Sequence, residues 1–233
     1  MAIDLESGAM WYGAFVFSTA CHEATHAWSA LHLGDDTAAR GGQVTLDPWP
    51  HIKREPFGMV VVPILSWLVA GWIIGWASAP YNPVWAQENP KKAGLMALAG
   101  PMSNLVLALA GILAIRLGYE WRLFRTPYVL TSTTLAVAAH SGLTALCAKF
   151  LSIFVTLNLI LCVFNLVPLP PLDGSNAPLL LLPKHAADAY ARFLRTPATR
   201  YFGLLIASRL LGPVVPKLLF ATGCVLYPAT YHP

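Results

Sequence analysis

Five long apolar segments, joined by short polar connections, constrain the fold of this chain more than any other feature. A helix needs about 20 mainly apolar residues to cross a bilayer, and each segment approaches that length. Only 11% of the residues are charged, against about a quarter in a typical soluble domain. The sequence predicts an all-α polytopic membrane protein with five to six transmembrane or re-entrant helices. The segments are 11–34, 59–79, 94–117, 143–168 and 201–227, with 128–139 as a shorter sixth candidate.

The polar connections are too short to bury a core of their own. We therefore expect residues 1–233 to form a single domain, with a core at about 11–180 and a C-terminal part at about 184–227. That part comprises a basic, amphipathic interfacial helix and a transmembrane helix. In the first connection, Gln43–Leu46 alternates polar and apolar residues after Gly41-Gly42. This alternation predicts a small cytoplasmic β-strand or hairpin element.

The positions of Lys and Arg predict the orientation, because cytoplasmic loops carry the excess of these residues. The first ten residues carry none, whereas connections 35–58 and 173–200 are basic (Arg40, Lys53, Arg54, Lys184, Arg192, Arg195 and Arg200). We expect a multi-pass protein of the cell (inner) membrane with its N-terminus outside. Two topologies satisfy this count. Either 59–79 is re-entrant and only 94–117 crosses before 143–168, or three segments cross, including 128–139.

The distribution of charge and of cysteine excludes several classes of protein. The net charge of +4 is scattered between the apolar segments and forms no basic stripe, so no nucleic-acid partner is expected. The acidic N-terminus and the lack of a small-residue cleavage site argue against a cleaved signal peptide. The four cysteines have no CxxC spacing and suggest no disulfide framework.

The stretch CHEATHAW, Cys21–Trp28, places two histidines and a glutamate inside the first apolar segment. His22 and His26 are four residues apart and share one helical face, so both imidazoles can bind one zinc ion. Glu23 then lies beside the open metal position, where a carboxylate can take a proton from water. Ionisable groups in a bilayer cost at least about 2.5–3.5 kcal/mol and are usually functional. This cost favours a metal site over ordinary core histidines.

Two histidines leave a catalytic zinc one protein ligand short. The candidate third ligand is Asp173 in FNLVPLPPLDGSN, residues 164–176. A lone Asp-Gly is usually a turn, but here it follows a proline-broken helix end and two in-membrane asparagines. Asn158 and Asn165 are two helical turns apart and share a face. In ALAGPMSN, residues 97–104, the Asn104 amide is compatible both with an interhelical hydrogen bond and with lining a site.

These motifs together resemble the site-2 protease family of intramembrane zinc metalloproteases, in its compact bacterial branch without a PDZ domain. HEATH (22–26), AGPMSN (99–104) and FNLVPLPPLDGSN (164–176) carry the resemblance, with LGDDTA (33–38), GGQVTLDPWPHI (41–52) and GWASAPYNP (75–83). The resemblance implies one Zn²⁺ per chain, with metal ligands His22, His26 and Asp173 and catalytic residues Glu23 as general base, Asn165 and Asn104. Asn165 would hold the substrate carbonyl or the oxyanion, and Asn104 would line the site.

Two positions depart from the family pattern. Asp36 stands where the branch usually has proline, and Lys53 where it usually has an acidic residue. Neither position is a ligand, so the departures concern substrate preference and loop geometry. His51 matches a family-typical histidine, which either caps its loop or approaches the metal.

The function expected from these features is intramembrane proteolysis. A zinc-dependent endopeptidase would cleave single-span transmembrane segments by metal-activated water, so its partners would be a transmembrane protein substrate and the lipid bilayer. The alternative is a non-catalytic, protease-like subunit of a larger membrane protein complex. A transporter would need paired broken segments, which the sequence lacks.

Overall fold

The computed structural model describes residues 4–194 and 196–231 and confirms the all-α prediction. A π-helical turn at Phe57–Val61 leads directly into α4, and a 3₁₀ helix spans Asp173–Leu180. A two-stranded antiparallel sheet joins β1, Phe124–Arg125, to β2, Val137–Ala138. The α-helices are α1 Leu5–Leu33, α2 Thr37–Arg40, α3 Pro48–Arg54, α4 Val62–Ala70, α5 Pro83–Glu88, α6 Pro90–Glu120, α7 Leu143–Asn165, α8 Lys184–Leu194 and α9 Pro197–Leu226.

Within the described residues, three helices are long and apolar enough to cross a membrane, namely α6, α7 and α9. The first predicted span forms α1, which has 29 residues but carries the polar side chains of the HEATH motif. Much of α1 is buried, including Trp11, Ala14 and Phe15. The chain is thus a helical membrane protein in which α1 is enclosed by its neighbours.

Helices α1 and α7 run in parallel, and α6 runs antiparallel to both. Near the start of α7, the Lys149 Nζ lies 2.9 Å from the Glu6 carboxylate near the start of α1. Gly111 of α6 lies directly against Val155 of α7, where any side chain on the glycine would collide. Small residues permit this close approach of membrane helices. The three helices therefore form the framework that carries the site.

Segment 59–79 folds back on itself, which agrees with the first of the two predicted topologies, in which this segment is re-entrant. The chain rises through the π-helical turn and α4, reverses at Gly71 with φ of 65°, and returns without regular structure. On the way back the Trp76 amide donates to the Gly58 carbonyl at 3.1 Å, so both limbs meet at the same level. Trp72 at the tip packs against Trp11, with ring centroids 4.9 Å apart. Between α1 and α7, α6 is the one described helix long and apolar enough to cross a membrane.

The sixth candidate span, 128–139, was a wrong prediction. This segment contains turns and β2, and it packs over the ends of α6 and α7 with Leu135 and Ala136 buried. Both of their backbone amides donate to the Ser152 hydroxyl, at 2.9 and 3.2 Å. Leu135 and Ala136 of this segment therefore cover the helical core.

The predicted strand at Gln43–Leu46 was also wrong, and the small sheet lies at the opposite end of the bundle. Residues 44–46 form bends because local side-chain bonds replace a ladder. The Asp47 amide donates to the Thr45 hydroxyl, and the Thr45 carbonyl accepts from the His51 ring. The β1–β2 pair follows the end of α6, on the side where α1 begins.

The C-terminal part contains the predicted amphipathic helix, α8, followed by α9. Arg195 lies outside the described residues. Ala187 of α8 is buried, and the Tyr190 hydroxyl donates to the Ser175 carbonyl at 2.8 Å. Gly203 of α9 packs directly on the Pro170 backbone and has no room for a side chain. Both helices therefore pack on the segment that contains Asp173.

Candidate metal centre

His22 and His26 lie one helical turn apart on the buried face of α1, with 6% and 7% of their surface exposed. Their Nε2 atoms are 3.0 Å apart, and the rings meet edge to face with centroids 4.6 Å apart. The i, i+4 spacing brings both rings to one point, as the motif predicts. Two imidazole nitrogens thus converge within the bundle.

Hydrogen bonds at the opposite ring nitrogens set the tautomers of both histidines. The His22 Nδ1 lies 2.6 Å from the Asn104 Oδ1, and the His26 Nδ1 lies 2.8 Å from the Met96 carbonyl. Each of these oxygens accepts, so each Nδ1 carries the proton and donates. The Nε2 lone pairs are therefore directed at the common point, as in histidine metal sites generally.

Asp173 completes this group although it lies 151 residues after His22. Its Oδ2 is 3.1 Å from the His22 Nε2 and 3.3 Å from the His26 Nε2. Among the described residues, these three form the one His/Cys/Asp/Glu cluster with donor atoms close enough to hold a metal ion, all within 4.8 Å of one another. Two imidazoles and one carboxylate are a known donor set for catalytic zinc. The residues present therefore fit a zinc ion.

Two glycines make this convergence sterically feasible. Gly100 of α6 lies directly against the Nε2 atoms of His22 and His26, where a Cβ atom would collide with both rings. Gly174 lies against the Leu166 carbonyl with equally little room. Close backbone approach is a standard reason for glycine at such positions. The contact of Gly100 with the histidines has no local sequence signal, because it depends on how α6 meets α1.

Glu23 lies beside the metal-binding group formed by His22, His26 and Asp173. It is 5% exposed, and it lines a cleft of about 320 Å³ together with His26 and Asp173. Its carboxylate has no hydrogen-bond or ion-pair partner among the residues that the structure describes. Burying a carboxylate that accepts no hydrogen bond costs free energy, so its position beside a metal-binding group suggests a chemical role.

Asn104 is fully buried and contacts His22, not the cleft. Its amide nitrogen donates to the Asn158 Oδ1 at 2.9 Å, and the Asn158 amide donates in turn to the Ser18 hydroxyl at 2.9 Å. Asn104 thus makes the interhelical hydrogen bond and holds the His22 ring; a catalytic role for Asn104 stays a prediction. Asn158 supports Asn104 through this hydrogen bond. Two features of the sequence had singled out Asn158: it lies in an apolar segment, and it shares a helical face with Asn165.

The sequence comparison decides the family of the chain. The family model described as "Peptidase family M50" matches residues 5–194. The chain belongs to peptidase family M50. This agrees with the resemblance found in the HEATH, AGPMSN and FNLVPLPPLDGSN motifs.

Relatives of this M50 chain in two bacteria share the name "Putative zinc metalloprotease". The Bacillus subtilis (strain 168) protein YwhC is 38% identical over 161 residues, covering 68% of this chain and 63% of YwhC. Rip2 of Mycobacterium tuberculosis (strain ATCC 25618 / H37Rv) is 30% identical over 207 residues, covering 88% of this chain and 68% of Rip2. The chain thus spans slightly less than two thirds of YwhC. No solved structure matches it significantly.

The two remaining candidate residues of the M50 chain, Asn165 and His51, lie outside the metal-binding group and do not line the cleft. Asn165 is the last residue of α7 and is half-buried, but it does not line the 320 Å³ cleft; its contact with substrate stays a prediction. His51 is 1% exposed and donates from Nε2 to the Thr45 carbonyl at 3.0 Å. His51 therefore stabilises its own loop and lies outside the cluster of metal-binding donors.

The sequence did not predict the role of the Met96 carbonyl, which accepts from the His26 ring, because backbone groups leave no sequence signal.

Proposed function

We propose that this M50 chain is a zinc-dependent intramembrane endopeptidase that cleaves single-span transmembrane segments. The observation that carries this proposal is the convergence of the His22 Nε2, the His26 Nε2 and the Asp173 Oδ2 beside the unpaired Glu23 carboxylate. Family membership and the names of the two relatives support metalloprotease chemistry. Placement of the cluster among apolar helices supports a substrate within the membrane.

His22, His26 and Asp173 would hold one zinc ion per chain. When bound, zinc supplies Lewis acidity and lowers the pKa of an adjacent water. The bonds from each Nδ1 to Asn104 and to Met96 keep both rings oriented toward this position. Such supporting bonds are typically worth 10–100-fold in metal affinity or activity.

Glu23 acts as the general base. A water in the cleft attacks the scissile carbonyl carbon while the Glu23 carboxylate accepts its proton. As the carbon–nitrogen bond breaks, the same carboxyl group passes that proton to the leaving amine. The Asn165 amide at the end of α7 would donate to the oxygen on which negative charge develops.

The distribution of cations supports an active site at the cytoplasmic side of the inner membrane with the N-terminus outside. The described residues at the end of the bundle that carries the site include seven Lys and Arg side chains, whereas those at the opposite end include four, Arg116, Arg122, Arg125 and Lys149. At that opposite end Lys149 pairs with Asp4 and Glu6, and Arg116 pairs with Glu120. This asymmetry follows the positive-inside rule. The cations near the site are Arg40, Lys53, Arg54, Lys91, Lys92, Lys184 and Arg192.

The test is zinc content and cleavage of a single-span substrate by the purified protein reconstituted into vesicles. Wild type and Glu23→Gln are both expected to bind about one zinc per chain, because Glu23 is not a ligand. Only wild type should cleave, and Asp173→Asn should lose both zinc and activity. Equal cleavage by Glu23→Gln would contradict the role of the base. Zinc binding without cleavage of any substrate would favour a non-catalytic subunit of a membrane complex.

A further inference from the structure

Helix α8 forms one side of the cleft in front of His26, Glu23 and Asp173. It turns four side chains into the cleft: Ala187, Asp188, Ala191 and Leu194. The bond from the Tyr190 hydroxyl to the Ser175 carbonyl holds α8 against the 3₁₀ helix that begins at Asp173. Asp188 is thereby held in the same cleft as Glu23, His26 and Asp173. Residues 77–81, at the end of the returning limb of 59–79, also line the cleft.

Asp188 is half-buried and has no hydrogen-bond or ion-pair partner among the described residues. Lys184 and Arg192 lie one turn before and after it, but both are exposed and neither lines the cleft. Indeed, none of the described residues that line the cleft is Lys or Arg, although the surrounding surface is basic. The cleft therefore differs in charge from the surface in which it opens.

Among the described residues that line the cleft, no positive charge compensates Asp188. In the zinc-loaded protein, the two negative charges of Glu23 and Asp173 balance the divalent ion. The Asp188 carboxylate then remains as a surplus negative charge facing the volume that a substrate would occupy. A partly desolvated carboxylate gains most from a cation brought to it inside the cleft.

We propose that Asp188 determines substrate specificity by binding a Lys or Arg side chain on the cytoplasmic side of the scissile bond. The proposal rests on the proposed protease function and names a chemical property of its substrate. Single-span proteins carry Lys and Arg immediately next to the cytoplasmic end of their apolar segment. A substrate entering from the bilayer therefore brings such a cation to the height of the cleft. Asp188 would distinguish these segments from those that carry neutral or acidic residues there.

The experiment compares three single-span substrates that differ only in one residue on the cytoplasmic side of the cleavage point: Lys, Gln or Glu. Zinc-loaded wild type in vesicles is expected to cleave the Lys substrate with a kcat/KM about 5–10-fold above the Gln substrate, and the Glu substrate most slowly. Asp188→Asn should cleave the Lys and Gln substrates at equal rates, with its zinc content unchanged. Asp188→Lys should reverse the order.

Glu88→Gln is the matched control, because Glu88 is an exposed carboxylate of α5 that does not line the cleft. This variant should retain the wild-type preference for Lys. Equal cleavage of the three substrates by wild type, or an unchanged preference in Asp188→Asn, would overturn the role of Asp188 alone. Failure of wild type to cleave even the neutral substrate would overturn the protease function, and this proposal with it.

Discussion

At the scale of single residues, the candidate site depends on groups that are not themselves ligands. Asn104 and the Met96 carbonyl fix the tautomers of His22 and His26. Gly100 allows the backbone of α6 to touch both rings. The metal-binding geometry is therefore a property of the α1–α6 contact as much as of the HEATH motif.

Gly100→Ala tests this contact directly. The added methyl group collides with both imidazoles, so α6 must move away from α1. We expect a loss of about 1–3 kcal/mol in the free energy of unfolding and at least a tenfold weaker zinc affinity. Metal analysis and thermal unfolding in detergent measure the two effects.

Gly13→Ala is the control for the glycine change, because Gly13 lies in α1 with nothing within 4 Å of an added Cβ atom. It should bind zinc normally and gain up to about 1 kcal/mol from helix propensity. If both variants behaved alike, the steric role of Gly100 would be disproved.

At the scale of elements, the Asp35 carboxylate joins two connections, the one that follows α1 and the one that precedes α5. The Oδ1 of Asp35 accepts from the Thr37 amide and hydroxyl, at 3.0 and 2.5 Å. Its Oδ2 accepts from the Asn82 amide at 2.7 Å, where the returning limb of the re-entrant segment ends. Burial acts to raise the pKa of Asp35, but the bonds from Thr37 and Asn82 outweigh it and hold the pKa below its ordinary value.

This lowered pKa gives a pH-dependent contribution to stability. The contribution is fully present above the unfolded pKa of about 4 and is lost as the pH falls through the lower folded pKa. Asp35→Ala should reduce the free energy of unfolding by about 2 kcal/mol at pH 7. The difference from wild type should shrink progressively below about pH 4, as measured by thermal unfolding across this range.

The neighbouring Asp36 provides the comparison. It is exposed, and among the described residues its side chain pairs with Arg40 alone, at 2.7 Å, so Asp36→Ala should cost less than about 1 kcal/mol at any pH. A loss in Asp35→Ala that did not change with pH would show that the carboxylate charge is not what joins the two connections.

At the scale of the whole molecule, the metal-binding group links distant parts of the chain. His22 and His26 belong to α1, whereas Asp173 follows α7 and contacts both rings. Helices α8 and α9 pack on the same segment through Tyr190 and Gly203. An ion bound here would hold α1 and the C-terminal part together.

Removal of metal should therefore destabilise the complete protein. Chelation is expected to lower the midpoint of thermal unfolding, and zinc at 100 times its dissociation constant should restore about 2.7 kcal/mol. Asp173→Asn should gain much less from zinc, whereas Glu23→Gln should gain as much as wild type. An unfolding midpoint that chelation left unchanged in wild type would argue against a structural link through the ion.

The sequence predicted the features that depend on local spacing. The apolar lengths indicated a helical membrane protein, the i, i+4 histidines share one helical face, and the prolines before Asp173 end α7 near residue 165. Local spacing failed where side chains offered the backbone other partners. Alternation at Gln43–Leu46 suggested a strand, but bonds involving Thr45 and His51 form bends.

What the sequence determined by itself is the fold class, the family and the residue types at the candidate site. The tertiary structure decided that 59–79 returns to its own side, that Asp173 reaches the histidines across 151 residues, and that Asn104 contacts His22 instead of the cleft. The physical reason is the distance along the chain between the groups that interact. Helical periodicity follows from neighbouring backbone bonds, whereas which helical faces meet depends on packing between segments that are far apart along the chain.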